Sequence, residues 1–100
     1  MNTTVYALAT PAGRSGVAVI RLSGANAGAI LDALAGLPRP SARQASLRSL
    51  RSVDGSVMDR GLVIWFPGPA SFTGEDSVEF HVHGGPAVIE AMLHALDESG

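Results

Sequence analysis

SVEFHVH (residues 77–83), running into GGPAVIEAMLHALDESG (84–100), is the stretch that decides the fold. Its first seven residues alternate. Val78, Phe80 and Val82 fall on one side, and Ser77, Glu79, His81 and His83 on the other. A period of two is that of a strand with one buried face. Gly84-Gly85 breaks the strand, and Pro86 suits the first position of a helix, where its missing N–H costs nothing. The apolar residues then change period. Ile89, Met92, Leu93 and Leu96 recur at helical spacing, which predicts a helix over about 86–97 with those four as its inner stripe. Its last turn carries Asp97 and Glu98, which oppose the helix macrodipole. This leads us to expect that the chain continues beyond Gly100 in the parent protein.

Outward from that stretch the same two periods recur. TVYALA (4–9) and VAVIRL (17–22) read as strands, separated by a Gly- and Pro-punctuated loop over 10–16. Ser23 is placed to N-cap a helix over about 25–35, in which Ala27, Ile30, Leu31 and Leu34 form one apolar stripe. Gly36 and Pro38 end it. A polar connector (39–44) leads to a weakly alternating edge strand (45–52). Asp54-Gly55 supplies a hairpin turn, because Gly accepts positive φ. The returning strand ends in LVIWF (62–66), apolar on both faces and therefore central. A loop over 67–76 completes the order β-β-α-β-β-β-α. We expect one domain over 1–100, of α/β (α+β) class. Its mixed sheet would have both helices on one face and polar residues on the other.

Composition narrows the function. The 100 residues hold seven basic side chains, every one Arg, against nine acids, for a formal charge of −2. All seven Arg lie in residues 1–60, and six of the acids in 61–100. Without Lys there is no phosphate-loop lysine, Schiff-base lysine or polybasic membrane patch. Without Cys there is no disulfide framework, thiol nucleophile or thiolate zinc site. No run approaches the ~18 apolar residues of a membrane span, and the N-terminus lacks a secretory signal. The expectation is a cytoplasmic protein.

Glu79, His81 and His83 share a strand face, and imidazole with carboxylate suits zinc. A half-buried strand showing polar residues to solvent or a partner gives the same pattern, and a third and fourth ligand are not evident. An inward Glu79 could instead accept two parallel N–H donors from a flat heterocycle such as a pterin or guanine edge. Arg21, mid-strand between Ile20 and Leu22, could pair with Glu79 or hold a ligand carboxylate; a sheet-face ion pair is the plainer alternative. The loops at 13–16 and 84–86 bear glycines, and the second opens a helix whose free N–H groups could take an anion. Neither matches a phosphate-loop or dinucleotide fingerprint. Ser15, Ser71 and Thr73 lack an evident His-acid arrangement. The four Arg between 39 and 51 lack interleaved aromatics and read as a solvated edge rather than a nucleic-acid surface.

Three segments carry a family resemblance: ALATPAGRSGVAVIRLSG (7–24), DGSVMDRGLVIWF (54–66) and FPGPASFTGEDSVEFHVHGGP (66–86). Together they resemble the start of the tRNA-modification GTPase family MnmE, also called TrmE. The resemblance implies a β(2)-α-β(3)-α domain that binds a one-carbon tetrahydrofolate, usually 5-formyltetrahydrofolate, and forms a homodimer. It places the folate-binding arginine on Arg21 and the folate-binding glutamate on Glu79, with His83, Gly84 and Gly85 near the ligand. His81 lies outside the family pattern. The parent enzyme would act with the FAD-dependent partner MnmG to form the 5-carboxymethylaminomethyl group at wobble uridine U34 of certain tRNAs. Its GTP, Mg²⁺ and K⁺ chemistry would lie in a GTPase domain beyond this chain, as would a further folate-binding lysine. Two rivals follow: a dimerisation module with an incomplete folate site, and a half-domain of an aminomethyltransferase, which lacks the 66–76 block.

Overall fold

Strand alternation and helix stripes resolve into one two-layer arrangement. The computed structural model describes residues 4–9, 16–69 and 74–99. Five strands, β1 (Val5–Leu8), β2 (Val17–Ser23), β3 (Ser46–Arg51), β4 (Val57–Phe66) and β5 (Ser77–His83), form one sheet in the order β1-β2-β5-β4-β3. Two helices, α1 (Ala27–Ala35) and α2 (Pro86–Ser99), complete the order read from the sequence. Of the loops expected over 10–16 and 67–76, residues 10–15 and 70–73, with Ser15, Ser71 and Thr73, lie outside the described residues.

The last strand in the chain is the middle strand of the sheet. β5 pairs with β2 on one side and β4 on the other. Its apolar face meets its neighbours in register: Ile20, Phe80 and Val63 form one row, Leu22, Val78 and Trp65 the next, and Ala18 pairs with Val82. All of these are buried beneath the helices, together with Ala27, Ile30, Leu31 and Leu34 of α1 and Ile89, Met92, Ala95 and Leu96 of α2. Burying a side chain such as Phe80 contributes roughly 1.5–3 kcal/mol. Asp54-Gly55 makes the expected turn, with Gly55 at φ 88° and the Gly55 N–H donating to the Ser52 carbonyl at 2.9 Å.

Several expectations need correction. Ser23 does not cap α1. It is the last residue of β2, opposite Ser77, and the helix begins at Ala27 after Asn26, which makes no side-chain cap. The extra ladder step to Ser77 outcompetes the cap. Leu93 is only partly buried, and Ala95 takes its place in the inner stripe. All four ladders are antiparallel, and parallel pairing is confined to an isolated bridge between Ala42 and Trp65. The open sheet face is not simply polar, since Val5, Val17, Leu47 and Leu62 are exposed on it. Of the Arg in 39–51, Arg39 is held by Asp32 and stacks on Trp65, its guanidinium carbon 4.7 Å from the ring centre. Arg48 and Arg51 donate to the Gly36 and Gly55 carbonyls. No helix among the described residues is long and apolar enough to cross a membrane.

Gly61 on β4 lies close against the backbone of β5. A Cβ added there would sit 2.5 Å from the His81 carbonyl oxygen, a backbone atom that cannot swing aside. Gly61→Ala is therefore expected to lower the unfolding free energy by about 1–3 kcal/mol, read by urea denaturation. An unchanged midpoint would contradict this packing.

Candidate functional site

The site lies on the open face, where β2 and β5 run side by side. Arg21 and Glu79 are direct partners in the ladder, each one residue from the buried Ile20–Phe80 pair. The burial of that pair fixes which face its neighbours occupy. Arg21 Nε and Nη2 both donate to Glu79 Oε2, at 3.2 and 2.9 Å. The other oxygen, Oε1, lies 3.0 Å from His81 Nε2. Glu79 is thus held from two sides by two different side chains, one per oxygen. Ile64 is its neighbour on β4, while Val19 and Leu62 flank His81.

The cluster is half-sunk. The side chains of Arg21, Glu79 and His81 keep 37%, 18% and 27% of their exposure. Burial alone would raise the Glu79 pKa. The hydrogen bonds from His81 and Arg21 and the arginine charge outweigh it and hold the carboxyl below its ordinary range. Glu79 is therefore an ionised, acceptor-only group at neutral pH. Water still reaches the cluster, so the ion pair adds little to stability.

His83 occupies a separate arrangement. Its Nδ1 lies 2.9 and 3.0 Å from the two Asp59 oxygens, and its backbone N–H donates to Asp59 at 2.9 Å. Burial opposes ionisation of Asp59, but hydrogen bonds from His83 and from the Arg60 backbone lower its pKa overall. Gly84 is buried and donates to the Gly16 carbonyl, and Gly85 accepts the Ile89 N–H at the start of α2. His83 stands four residues from Glu79, or about 13 Å along the strand. The structure therefore brings Arg21 and Glu79 together and sets the His83-Gly84-Gly85 turn at the far end of the same face. At the His83 end lies an open groove of about 340 Å³, lined by Val17, Leu47, Leu62, Arg60, His81 and His83, which meets the cluster at His81.

The zinc reading of the strand separates into two pairs, His81 on Glu79 and His83 on Asp59. Among the described residues no three His, Cys, Asp or Glu side chains gather to hold a metal ion. Sequence reasoning put His81 on the right face but missed its bond to Glu79. The two-residue spacing was the available signal. Asp59 was missed entirely, because its partner is 24 positions away.

The whole sequence can be compared with known proteins. Residues 4–100 match the family described as GTP-binding protein TrmE N-terminus. A tRNA modification GTPase MnmE from Maricaulis maris (strain MCS10) is 81% identical over 100 residues, which is 100% of this chain and 23% of the relative. The MnmE of Caulobacter vibrioides (strain ATCC 19089 / CIP 103742 / CB 15) is 57% identical over 100 residues, 22% of its length. The mitochondrial 5-taurinomethyluridine-[tRNA] synthase subunit GTPB3 of Danio rerio is 57% identical over 95 residues, covering 93% of this chain and 19% of that protein. The chain spans about a fifth of the length of these curated relatives.

The lowered carboxyls set an acid limit. A group whose folded pKa lies below its unfolded value stabilises the fold above the unfolded pKa, and that contribution is lost as pH falls through the folded pKa. For Glu79 and Asp59 the loss begins near the ordinary carboxylate range, about pH 4, and continues below it. The melting temperature is expected to hold down to about pH 5 and then fall. The double variant Glu79→Gln, Asp59→Asn should show a shallower fall. Parallel curves for variant and wild type would contradict the assignment.

Proposed function

The chain belongs to the family of TrmE N-terminal domains, and from that membership we propose that it binds a one-carbon tetrahydrofolate at Arg21 and Glu79. The observation that carries the reading is the state of Glu79. It is an ionised carboxylate on an open sheet face, anchored by Arg21, with apolar Ile64 beside it and its other oxygen on His81, a residue of the neighbouring groove. Such a group accepts the paired 2-amino and N3–H donors of a reduced pterin. Arg21 meets a ligand oxygen or carboxylate, and 5-formyltetrahydrofolate is the expected form. The His83-Gly84-Gly85 turn lies toward the far end of the ligand.

Within the longer parent protein this domain would position the folate for a tRNA-modification GTPase. That enzyme acts with the FAD-dependent MnmG on the wobble uridine U34 of certain tRNAs in the cytoplasm. GTP, Mg²⁺ and K⁺ are handled by another part of the parent, since no lysine in this chain could serve a phosphate loop. A second reading, a dimerisation module with an incomplete folate site, is favoured by one observation. Val17, Leu47 and Leu62 leave an apolar surface on the open face that a second copy could cover.

Isothermal titration calorimetry with 5-formyltetrahydrofolate tests the first reading. Binding is expected, and Glu79→Ala and Arg21→Ala should each weaken it by at least roughly tenfold, as for a charge-assisted hydrogen bond. Absence of heat, or variants that bind as wild type does, would overturn it. Sedimentation equilibrium separates the two readings: a dimer unaffected by folate, with no calorimetric binding, supports the dimerisation module.

A further inference from the structure

We propose that Arg60 receives the glutamate carboxylates of the bound folate and so makes the site select for ligands with an anionic tail. The inference rests on the folate reading and extends it to the far end of the ligand. Register places the residues. Glu79 faces Ile64 on β4, and Arg60 lies four residues earlier on that strand. The strand rise sets it about 13 Å along the sheet from Glu79. Residues an even number of positions apart on a strand share a face, so Arg60 stands on the open side with Leu62 and Ile64. It is exposed and lines the groove.

One row of the open face separates the two residues. Val19, His81, Leu62 and Leu47 lie side by side in it, across β2, β5, β4 and β3. All but His81 are apolar, and Leu62 and Leu47 are 42% and 53% exposed. An aromatic ring laid there removes apolar surface from water. A folate has the matching order: a pterin with its donors at one end, an aminobenzoyl ring in the middle, and a glutamate carboxylate pair at the other. With the pterin on Glu79 and the ring on the leucines, the glutamate falls beside Arg60. The next row in the opposite direction, Ser23, Ser77 and Phe66, holds no cation.

The other arginines near the sheet are engaged. Arg21 is paired with Glu79 and Arg39 with Asp32, while Arg48 and Arg51 donate to backbone carbonyls. Arg60 forms no ion pair among the described residues. The carboxylate of its chain neighbour, Asp59, accepts the His83 backbone N–H and lies against the imidazole Nδ1, so it is taken up by His83 rather than by the Arg60 guanidinium. A guanidinium presents a planar fork that meets a carboxylate with two parallel N–H bonds. Glu79 thus reads the heterocycle, and Arg60 reads the charge at the other end.

The test is calorimetry on the wild type and Arg60→Gln with two ligands: 5-formyltetrahydrofolate, and its carboxamide analogue in which NH₂ replaces the glutamate. Arg60→Gln should bind 5-formyltetrahydrofolate roughly fivefold more weakly at low salt, the upper scale of an exposed charge pair. It should bind the carboxamide as the wild type does. Added salt screens an exposed pair, so it should narrow the gap between wild type and variant for the folate. Three outcomes overturn the tail contact and leave the folate reading standing. Arg60→Gln could bind 5-formyltetrahydrofolate as tightly as wild type at low salt, lose as much affinity for the carboxamide as for the folate, or keep the same gap as salt is raised. No binding of 5-formyltetrahydrofolate by the wild type overturns the folate reading and this contact together.

Discussion

Ile20 faces Phe80 on the buried side of the β2–β5 ladder, and one step along Arg21 faces Glu79 on the open side. The core and the candidate site are thus two faces of one register. A slip by a single residue would turn every side chain of a strand to the opposite face. It would bring Arg21 and Glu79 under the helices as buried charges and push Phe80 into water. The cost of desolvating the ions and the lost apolar burial both oppose that slip. The geometry of the site is therefore held by the packing of its neighbours, and the ion pair itself need contribute little.

That division of labour leaves the open face free for binding. The helices bury the apolar rows and cap no part of the Arg21–Glu79–His81 cluster. The cluster is dry enough to orient its donors and wet enough to exchange them, with Glu79 the least exposed of the three. The apolar residues around it, Val19, Leu62 and Ile64, set a surface suited to a flat ring, while Arg60 and His83 place positive or polarisable groups further along the groove. The chain belongs to the TrmE N-terminal family, and the proposed folate would be recognised on this face through these residues.

Much of this was legible in the sequence. The alternation in 77–83 told which residues of β5 go inside, and helical spacing told it for Ala27, Ile30, Leu31 and Leu34. Local periodicity carries that information because each residue's burial depends on its own element. Pairings do not work that way. Arg21 and Glu79 are 58 positions apart, and only the closing of the sheet makes them neighbours. Either could have met a different partner on the evidence of its strand alone. Ser23 was misread for a related reason: its own chemistry favours a cap, but the ladder to Ser77 extends the strand past it. Leu93 and Ala95 exchanged roles because which of several adjacent helix positions is buried depends on how α2 packs on the sheet, which spacing does not encode. The open face was expected to carry polar residues, yet Val5, Val17, Leu47 and Leu62 are exposed on it, Leu62 in a strand that read as apolar on both faces. The His81–Glu79 and His83–Asp59 contacts depend on ring orientation, which follows from the nearest acceptor rather than from residue type.

The central claim is that ligand recognition occurs on the open face of the β2–β5 ladder. It is tested most directly by following backbone ¹H–¹⁵N resonances during titration with 5-formyltetrahydrofolate. The account predicts saturable shifts centred on Val19, Arg21, Glu79 and His81, extending toward Leu62 and His83, with α1 and α2 little changed. Shifts concentrated on the helices, or none at ligand concentrations that saturate the calorimetric binding, would contradict it.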